Sequence, residues 1–522
     1  MNEAQLAIFQ MRLDGIAQTM QDTLFRCAVS PVVREGNDAA SALVAPNGEI
    51  MALSDAIPLL LGALQGSVGA ILDTFPADEM RPGDLFVMND PYSGGTHLPD
   101  LTVAMPVFTE GEKLLGLAAT IMHHQDIGGM RAGSVPPDAV EIFQEGLRLP
   151  PMRLGTNGEI DVAMRRLFAA NSRVPATVLG DLGAQIAAGN RAASDLARLA
   201  ASMGPDEFQR RADACRDMTE RQLRELIAAF APDTYRGEDG LDPHPDLPPI
   251  GIHVALHVAD TGLHFDFAGT TGQVRAPINC VRSGPLAAVF YALLSLGGPN
   301  LLRNGGVMRP VTIELPPASI INAAPPAAVN ARMGVVRVTT SAVLQALAKA
   351  APDRMPAANS GMSFVIAFSG RTPDGEQFLL TEIVAGGAGG GPDRDGAPGI
   401  STDVGNAMNM PAEGLEAMIP VRLLSYEVHH GSGGTGRHRG GDGVRRVYQA
   451  LADAIAVSVR GDRFLRVPPG VDGGGAPLPA SATIERADGP IEKLPSRASV
   501  TLNTGDRLIL ESSGGAGYGR HS

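Results

Sequence analysis

Asp84-Leu-Phe-Val-Met88-Asn-Asp-Pro-Tyr-Ser-Gly-Gly-Thr-His97-Leu-Pro-Asp100 passes from an apolar run into a polar, glycine-containing loop. Further on, the apolar run Leu115–Met122 leads into His123-His124-Gln-Asp126-Ile-Gly-Gly129. The pattern H-x-x-D therefore occurs twice, as His97/Asp100 and as His123/Asp126. Imidazole with carboxylate is a ligand set for Zn²⁺, Mn²⁺ or Fe²⁺. Residues 84–88 read as a strand, which puts the first motif on the loop that follows it. The second motif follows another apolar run. Two loops leaving neighbouring strands and converging on one ion is the arrangement expected. A single histidine would be read as a loop residue capping a carbonyl; two such units beside glycines favour a metal site. His123 and His124 point to opposite sides if both are extended, so one of them is a supporting group or an acid/base.

The segments around the motifs read clearly. Leu6, Phe9, Leu13, Ile16, Met20, Leu24 and Cys27 recur at three- and four-residue steps, the stripe of one amphipathic helix, which Ser30-Pro31 ends. Residues 39–53 read as two short strands around Pro46-Asn47-Gly48, with a helix over 57–75. From about 180 to 232 the composition turns Ala- and Arg-rich. There Phe208, Ala212, Cys215 and Met218 share one helical face behind the acidic turn Pro205-Asp206-Glu207. Asp239–Pro249 reads as a connector. Ile252, Val254, Leu256 and Val258 then alternate along a strand that returns through Asp260-Thr-Gly262 as a hairpin bearing Leu263, Phe265 and Phe267. From 380 onward short strands and glycine clusters dominate. These readings give a mixed α+β, multi-domain protein: an N-terminal α/β part with the metal site (1–180), a helical middle segment (181–240) and a β-rich, Gly- and Pro-rich C-terminal part (241–522).

Bulk properties narrow the function. A chain of 522 residues is too long for one core. A net charge of −14 disfavours nucleic acid and anionic membrane as partners. Cys27, Cys215 and Cys280 are too few and too scattered for a disulfide framework or a cysteine zinc site, and fit a cytoplasmic location. Ile57–Leu64 and Leu286–Leu296 are too short to span a bilayer.

Other motifs carry less. Gly431-Ser-Gly-Gly-Thr-Gly436 fits G-x-G-x-x-G, but Arg437-His-Arg-Gly-Gly-Asp-Gly443 follows it and will not form the helix a dinucleotide site needs. A structural turn, or a turn offering N–H groups and Arg437/Arg439 to an anion, remains. His429 and His430 read as surface or packing residues, and His253, His257 and His264 as strand residues facing away from the core. No phosphate-binding G-x-x-x-x-G-K-[ST] and no G-x-S-x-G occur. On composition alone Asp38, in Val33-Arg-Glu-Gly-Asn-Asp38, is a turn residue.

Longer stretches resemble a known family. NDPYSGGTHLPDLTVAMPVF (89–108), HHQDIGGMRAGSVPPDAVEIFQEGLRLPPMRL (123–154), FDFAGTTGQVRAPIN (265–279), INAAPPAAVNAR (321–332), GGAGGGPDRDG (386–396), GSGGTGRHRGGDGVRR (431–446) and the closing GGAGYG are similar to the hydantoinase B/oxoprolinase family. They follow in order over nearly the whole chain. The resemblance implies a B-type subunit that holds a divalent metal and opens a cyclic amide (a hydantoin, 5-oxoproline or another lactam) with water. A separate A-type ATPase subunit would bind the ATP and activate the substrate. Matched position by position, it implies Asp38, His97 and His123 as metal ligands, with Asp100 or else Asp126 completing the shell, and Asp126 or His124 as general base or orienting group. This chain departs from the family pattern after Asp38, where Ala39-Ala40-Ser41 replaces an aromatic residue followed by serine. Related subunits serve acetone and acetophenone carboxylases, so a ketone carboxylase subunit is the second reading and a non-catalytic scaffold for the ATPase the third.

Overall fold

The computed structural model describes residues 2–110, 113–259, 262–372 and 374–520. By packing, the chain divides into two units: residues 1–234, 255–268 and 272–333, and residues 235–254, 269–271 and 334–522.

The first unit is built on a seven-stranded antiparallel sheet. Its strands are β1 (Ala39–Val44), β2 (Ile50–Leu53), β3 (Leu85–Met88), β4 (Asp100–Phe108), β5 (Leu114–His123), β6 (Met152–Thr156) and β7 (Glu159–Ile160). Their order across the sheet is β2-β1-β5-β4-β3-β6-β7. The hairpin expected at 39–53 is β1 with β2. Because side chains alternate along a strand, the central strands present two different faces. One face carries Ala39, Leu43, Ala118 and Met122, packed with Leu6, Phe9, Leu13, Met20 and Leu24 of the helix Glu3–Cys27. The expected stripe is therefore buried, except that Ile16 is only partly so and Cys27 is exposed at the helix end. The helices Pro175–Ala201 and Pro205–Ile227 join this core through Ala184, Ala188, Phe208, Ala212, Cys215 and Met218. The helix Pro58–Thr74 contacts β1, β3, β4 and β5 from the other face. That face holds the small side chains Ala40, Ala42, Ala104 and Ala119, all fully buried, which let the helix sit close.

The segment between β3 and β4 is held rigid by its own polar residues. Asn89, buried, donates through Nδ2 to Leu98 O (2.7 Å) and Leu147 O (2.9 Å) and accepts from Leu149 N (2.6 Å). Asp90 accepts from Tyr92 N at 3.2 Å and caps the single turn Pro91–Ser93. Gly94 then takes φ of 113°. A Cβ there would lie 2.6 Å from the carbonyl carbon and oxygen of Gly66 in the helix Pro58–Thr74. Ser67 Oγ of that helix donates to Gly94 O at 3.1 Å. The glycines of the motif are thus the seam where loop meets helix.

The strand Gly251–Ala259 and its antiparallel return Gly262–Asp266 match the expected hairpin; Asp260 and Thr261 of its turn lie outside the described residues. Of the residues set aside as a connector, Asp239 and Gly240 end the strand Thr234–Gly240. The second unit contains a four-stranded sheet (Phe364–Arg371, Gln377–Val384, Ile455–Arg460, Arg497–Leu502) and a five-stranded one (Val421–His429, Gly443–Ala450, Ser481–Glu485, Ile491–Lys493, Arg507–Glu511). Phe364, Phe368, Tyr448, Val457 and Leu508 share one core there.

The glycine clusters of this unit zip to one another. Gly441 N donates to Ala388 O (2.7 Å), Gly515 N to Gly441 O (2.9 Å) and Gly434 N to Gly515 O (2.8 Å). A Cβ on Gly515 would fall 1.9 Å from Ala388 O. Residues 431–436 form turns with no helix, as the sequence required. They serve backbone packing.

Gly94→Ala is expected to destabilise the protein by about 1–3 kcal/mol, because it forces a positive φ on alanine and overpacks the seam. Gly69→Ala, in the same helix with nothing within 4 Å of its Cβ, is expected to be neutral or to stabilise by about 0.5–1 kcal/mol. Chemical denaturation of the two variants checks the pair.

Candidate metal centre

Asp100 is the first residue of β4 and stands opposite His123, the last residue of β5. One strand further, His123 N donates to Asp38 O at 3.1 Å, just ahead of the Ala39–Met122 pair of β1 and β5. Directly opposed residues share a face of the sheet. Asp38, His123 and Asp100 therefore form one row across β1, β5 and β4. The loop before β4 lays His97 over this row. The converging elements are β4, β5 and the start of β1; the two strands expected to be neighbours, β3 and β5, are separated by β4, which supplies Asp100 itself.

Three ligand atoms form a nearly equilateral triangle. His97 Nε2 lies 2.9 Å from Asp100 Oδ1 and 3.1 Å from His123 Nδ1, and His123 Nδ1 lies 3.1 Å from the same oxygen. Donors at about 2.0–2.2 Å from one divalent ion stand about 3–3.5 Å from each other. His97, Asp100 and His123 are the group able to hold a metal ion among the described residues.

The protons available support that fit. His97 Nδ1 is 3.1 Å from Asn330 O. A carbonyl only accepts, so Nδ1 carries the hydrogen and the lone pair of Nε2 points into the triangle. Burial, reinforced by the Arg332 charge, pushes the His97 pKa down to about 4, so the ring is neutral near pH 7. Burial alone would raise Asp100, but the Arg332 guanidinium and the hydrogen bond from His123 hold it well below the usual carboxylate range. Its Oδ2 accepts from Arg332 Nη2 at 2.7 Å and from Thr96 Oγ1. Its Oδ1 is left for the triangle. At most one proton, on His123 Nδ1, can be shared among the three converging atoms. A cation at their centre suits two nitrogen lone pairs and an anionic oxygen better than one shared hydrogen does.

Burial lowers His123, yet the Asp100 hydrogen bond and the Asp38 charge outweigh it and raise its pKa. Asp38 Oδ2 lies 4.0 Å from His123 Nδ1, at the rim of the triangle. Burial raises the Asp38 pKa against the opposing charge of His123. The side chains of Asp38 and His123 are 20% and 17% exposed, those of His97 and Asp100 7% and 2%. The centre thus has a dry side and an open side, and Asp38 stands on the open one.

His124 and Asp126 are placed differently from their expected roles. His124 is on the opposite face, fully buried, with Nε2 3.1 Å from Gln185 Oε1 of the helix Pro175–Ala201. Gln185 in turn donates to Leu101 O and Thr120 Oγ1. The strand alternation that aims His123 into the triangle sends its neighbour into the core. Asp126 accepts from Gly128 N, Gly133 N, Arg173 N and Arg173 Nη1 at 2.9–3.1 Å, and so pins the loop after β5.

Thr96, Glu145, Asn330 and Arg332 were given no role from sequence. Glu145 is fully buried, its Oε1 accepting from Val329 N, Asn330 N and Asn330 Nδ2 at 2.8–3.0 Å. It fixes the carbonyl that orients His97. Burial raises its pKa to about 7, against those N–H groups. Arg332 and Asn330 are more than 200 positions from His97 in the chain, and only the family-like stretch 321–332 marked them.

An antiparallel sheet that carries a row of nitrogen and oxygen donors across its neighbouring strands β1, β5 and β4 defines a mixed α/β protein with a candidate divalent-cation centre. The chain belongs to the hydantoinase B/oxoprolinase family, whose model matches residues 2–521. It is 32% identical to an uncharacterised protein of Methanocaldococcus jannaschii over 99% of this chain and 91% of that one. It is 30% identical to 5-oxoprolinase 1 of Arabidopsis thaliana over 99% of this chain, which spans only 42% of that protein. A protein of Pseudomonas sp. strain NS671, provisionally named as the B-type subunit of a D-/L-hydantoinase, is 29% identical over 97% of this chain and 88% of its own. The ATP-dependent caprolactamase of Pseudomonas jessenii superposes with a TM-score of 0.90 at 26% identity, over 100% of this chain and 91% of that one. A nucleotide-free acetone carboxylase shares the fold, with a TM-score of 0.90 at 18% identity over 100% of this chain and 76% of that one. No helix of the described residues is long and apolar enough to cross a membrane.

His97→Ala and Asp100→Asn are each expected to abolish stoichiometric divalent metal in protein purified without chelator. Asp126→Asn is expected to keep the metal and lower the melting temperature instead, because its carboxylate pins a loop. Elemental analysis beside thermal unfolding separates the two effects.

Proposed function

We propose that this chain is the metal-binding catalytic subunit of an ATP-dependent hydrolase of cyclic amides, and that it works with a separate A-type ATPase subunit. The observation that carries the reading is the His97–Asp100–His123 triangle, with one dry and one open side. Support for the substrate class comes from the family and from relatives named for 5-oxoproline and hydantoin chemistry. Support for a partner comes from the Pseudomonas relative, whose name describes one subunit of a larger enzyme.

His97, Asp100 and His123 would hold the metal, with Asp38 beside them. A divalent ion bound there supplies Lewis acidity to an amide carbonyl or to water. The residues of the chain do the rest. Arg332 and Thr96 keep Asp100 anionic and immobile. Asn330 O keeps His97 in the tautomer whose free lone pair faces inward. Asp38, on the open side with a raised pKa, is placed to accept the proton of an attacking water and to pass it to the departing ring nitrogen. The acid/base role expected of Asp126 or His124 falls to Asp38 in this reading, because theirs are engaged in the loop and the core. An amide phosphorylated on its oxygen by the ATPase subunit would add one water at its carbon and break the C–N bond to leave an acyl phosphate and the free amine, and a second water would release inorganic phosphate and the carboxylic acid.

The test is co-expression with the A-type subunit and a screen of 5-oxoproline, hydantoins and caprolactam for ATP-linked turnover. His97→Ala is expected to reduce turnover more than about 100-fold; unchanged turnover would sink the catalytic reading and leave the scaffold. Product found only with bicarbonate and a ketone would favour the carboxylase. The isolated chain, which has no phosphate-binding loop motif, is expected to show no ATP binding by calorimetry. Micromolar binding without a partner would contradict the division of labour.

A further inference from the structure

Residues 327–332 bring two supports to the metal centre from outside the sheet. Asn330 O sets the tautomer of His97, and Arg332 Nη2 meets Asp100 Oδ2. These residues belong to no described helix or strand, so no ladder fixes their backbone. Side chains and a neighbouring turn fix it instead. Ile142 N donates to Pro326 O at 2.8 Å, and Tyr92 Oη donates to Ala327 O. Just past the turn Ile142–Gln144, Glu145 Oε1 gathers Val329 N, Asn330 N and Asn330 Nδ2 at 2.8–3.0 Å. Asn330 Nδ2 also donates to Pro136 O at 2.9 Å.

A carboxylate is a costly anchor at this place. Glu145 is fully buried and its Oε2 has no partner. Burying a carboxylate with one oxygen unsatisfied opposes folding. Its return is grip: one oxygen takes three N–H groups, and hydrogen bonds to an anion are roughly twice as strong as neutral ones. Two of those three donors belong to Asn330, the residue whose carbonyl oxygen lies 3.1 Å from His97 Nδ1. Asn330 is therefore pinned at its backbone N–H and at its side chain, which leaves its carbonyl one direction to point. A histidine ligates well when its second nitrogen has a fixed acceptor, because ring and tautomer are then set before the metal arrives.

We propose that Glu145 is a positioning residue of the metal centre: through Asn330 it holds His97 in the ligating orientation and so sets the affinity of the chain for a divalent metal. The inference rests on the metal reading of the His97–Asp100–His123 triangle, and it concerns a residue that reaches His97 through Asn330.

The test uses the full chain without partner or substrate. Zinc is titrated into metal-free protein in competition with a chelator, and thermal unfolding of the metal-free protein is followed beside it. Glu145→Met fills the volume without an acceptor and is expected to weaken zinc by about tenfold or more. Glu145→Gln keeps an uncharged acceptor of the same shape and is expected to fall between Glu145→Met and the parent. Asn330→Ala keeps the backbone carbonyl but removes one of the three bonds; a smaller loss in the same direction is expected, and this variant decides if Glu145→Met does not fold. Asp126→Asn is the control, a loosened loop with zinc affinity unchanged. The proposal is overturned if Glu145→Met, or Asn330→Ala in its place, binds zinc as tightly as the parent. It also fails if Glu145→Gln is as weak as Glu145→Met, which would make charge rather than hydrogen bonding the cause, or if Asp126→Asn loses affinity equally. A parent chain that binds no zinc would overturn the metal reading and this inference with it.

Discussion

The register between β4 and β5 is the constraint on which the rest of the first unit depends. Asp100 opposes His123, and Asp38 follows on the next strand. A slip of one residue would turn His123 into the helical core and bring His124 to the triangle. The protein fixes that register from the buried side. Met122 and Ala118 pack against the N-terminal helix, and Gln185 ties His124, Leu101 O and Thr120 Oγ1 in one buried knot. The apolar core and the polar centre are thus two faces of one alignment, and the histidine anchored in the core fixes the aim of its neighbour.

Electrostatics makes the two sides of the centre unequal. Arg332 offsets Asp100 at 2.7 Å within a buried pocket. Leaving one member of such a pair unpaired would be strongly destabilising, so the arginine makes a permanently ionised carboxylate tolerable there. Among the described residues Asp38 has no comparable cation in hydrogen-bond contact. Its pKa is raised rather than lowered, and its side chain meets solvent. Two aspartates within one row are driven apart in acidity by their surroundings, Asp100 downward and Asp38 upward.

Much of this was legible in the sequence because it is local. The helix Glu3–Cys27, the hairpin at 39–53 and the helix Pro58–Thr74 follow from periodicity and turn residues. His97, Asp100 and His123 could be singled out because imidazole and carboxylate recur at short spacing beside glycines. What stayed hidden depends on distance along the chain. Arg332, Asn330 and Glu145 reach the centre from segments that show no periodicity of their own. The motif spacing of His123 and Asp126 matched that of His97 and Asp100, yet equal spacing is not equal geometry. In the first pair the aspartate opens a strand; in the second it closes a loop around Arg173. The order of the strands is set by tertiary packing, so it could not be read from the motifs either.

The glycines make the same point about energy coupling. Runs such as Gly431–Gly436 look suited to cradle an anion, and in isolation their N–H groups would be. Here the N–H groups at the middle of the run and just after it are already committed. Gly433 N donates to Asp442 Oδ1, Gly434 N to Gly515 O, and Arg437 N to Gly519 O. Backbones stacked as closely as Gly515 on Ala388 leave no room for a phosphate between them. A nest of N–H groups binds an anion only if nothing in the chain reaches them first. In this chain Asp442 takes Gly433 N and the closing segment takes Gly434 N, which makes this part of the run a framework.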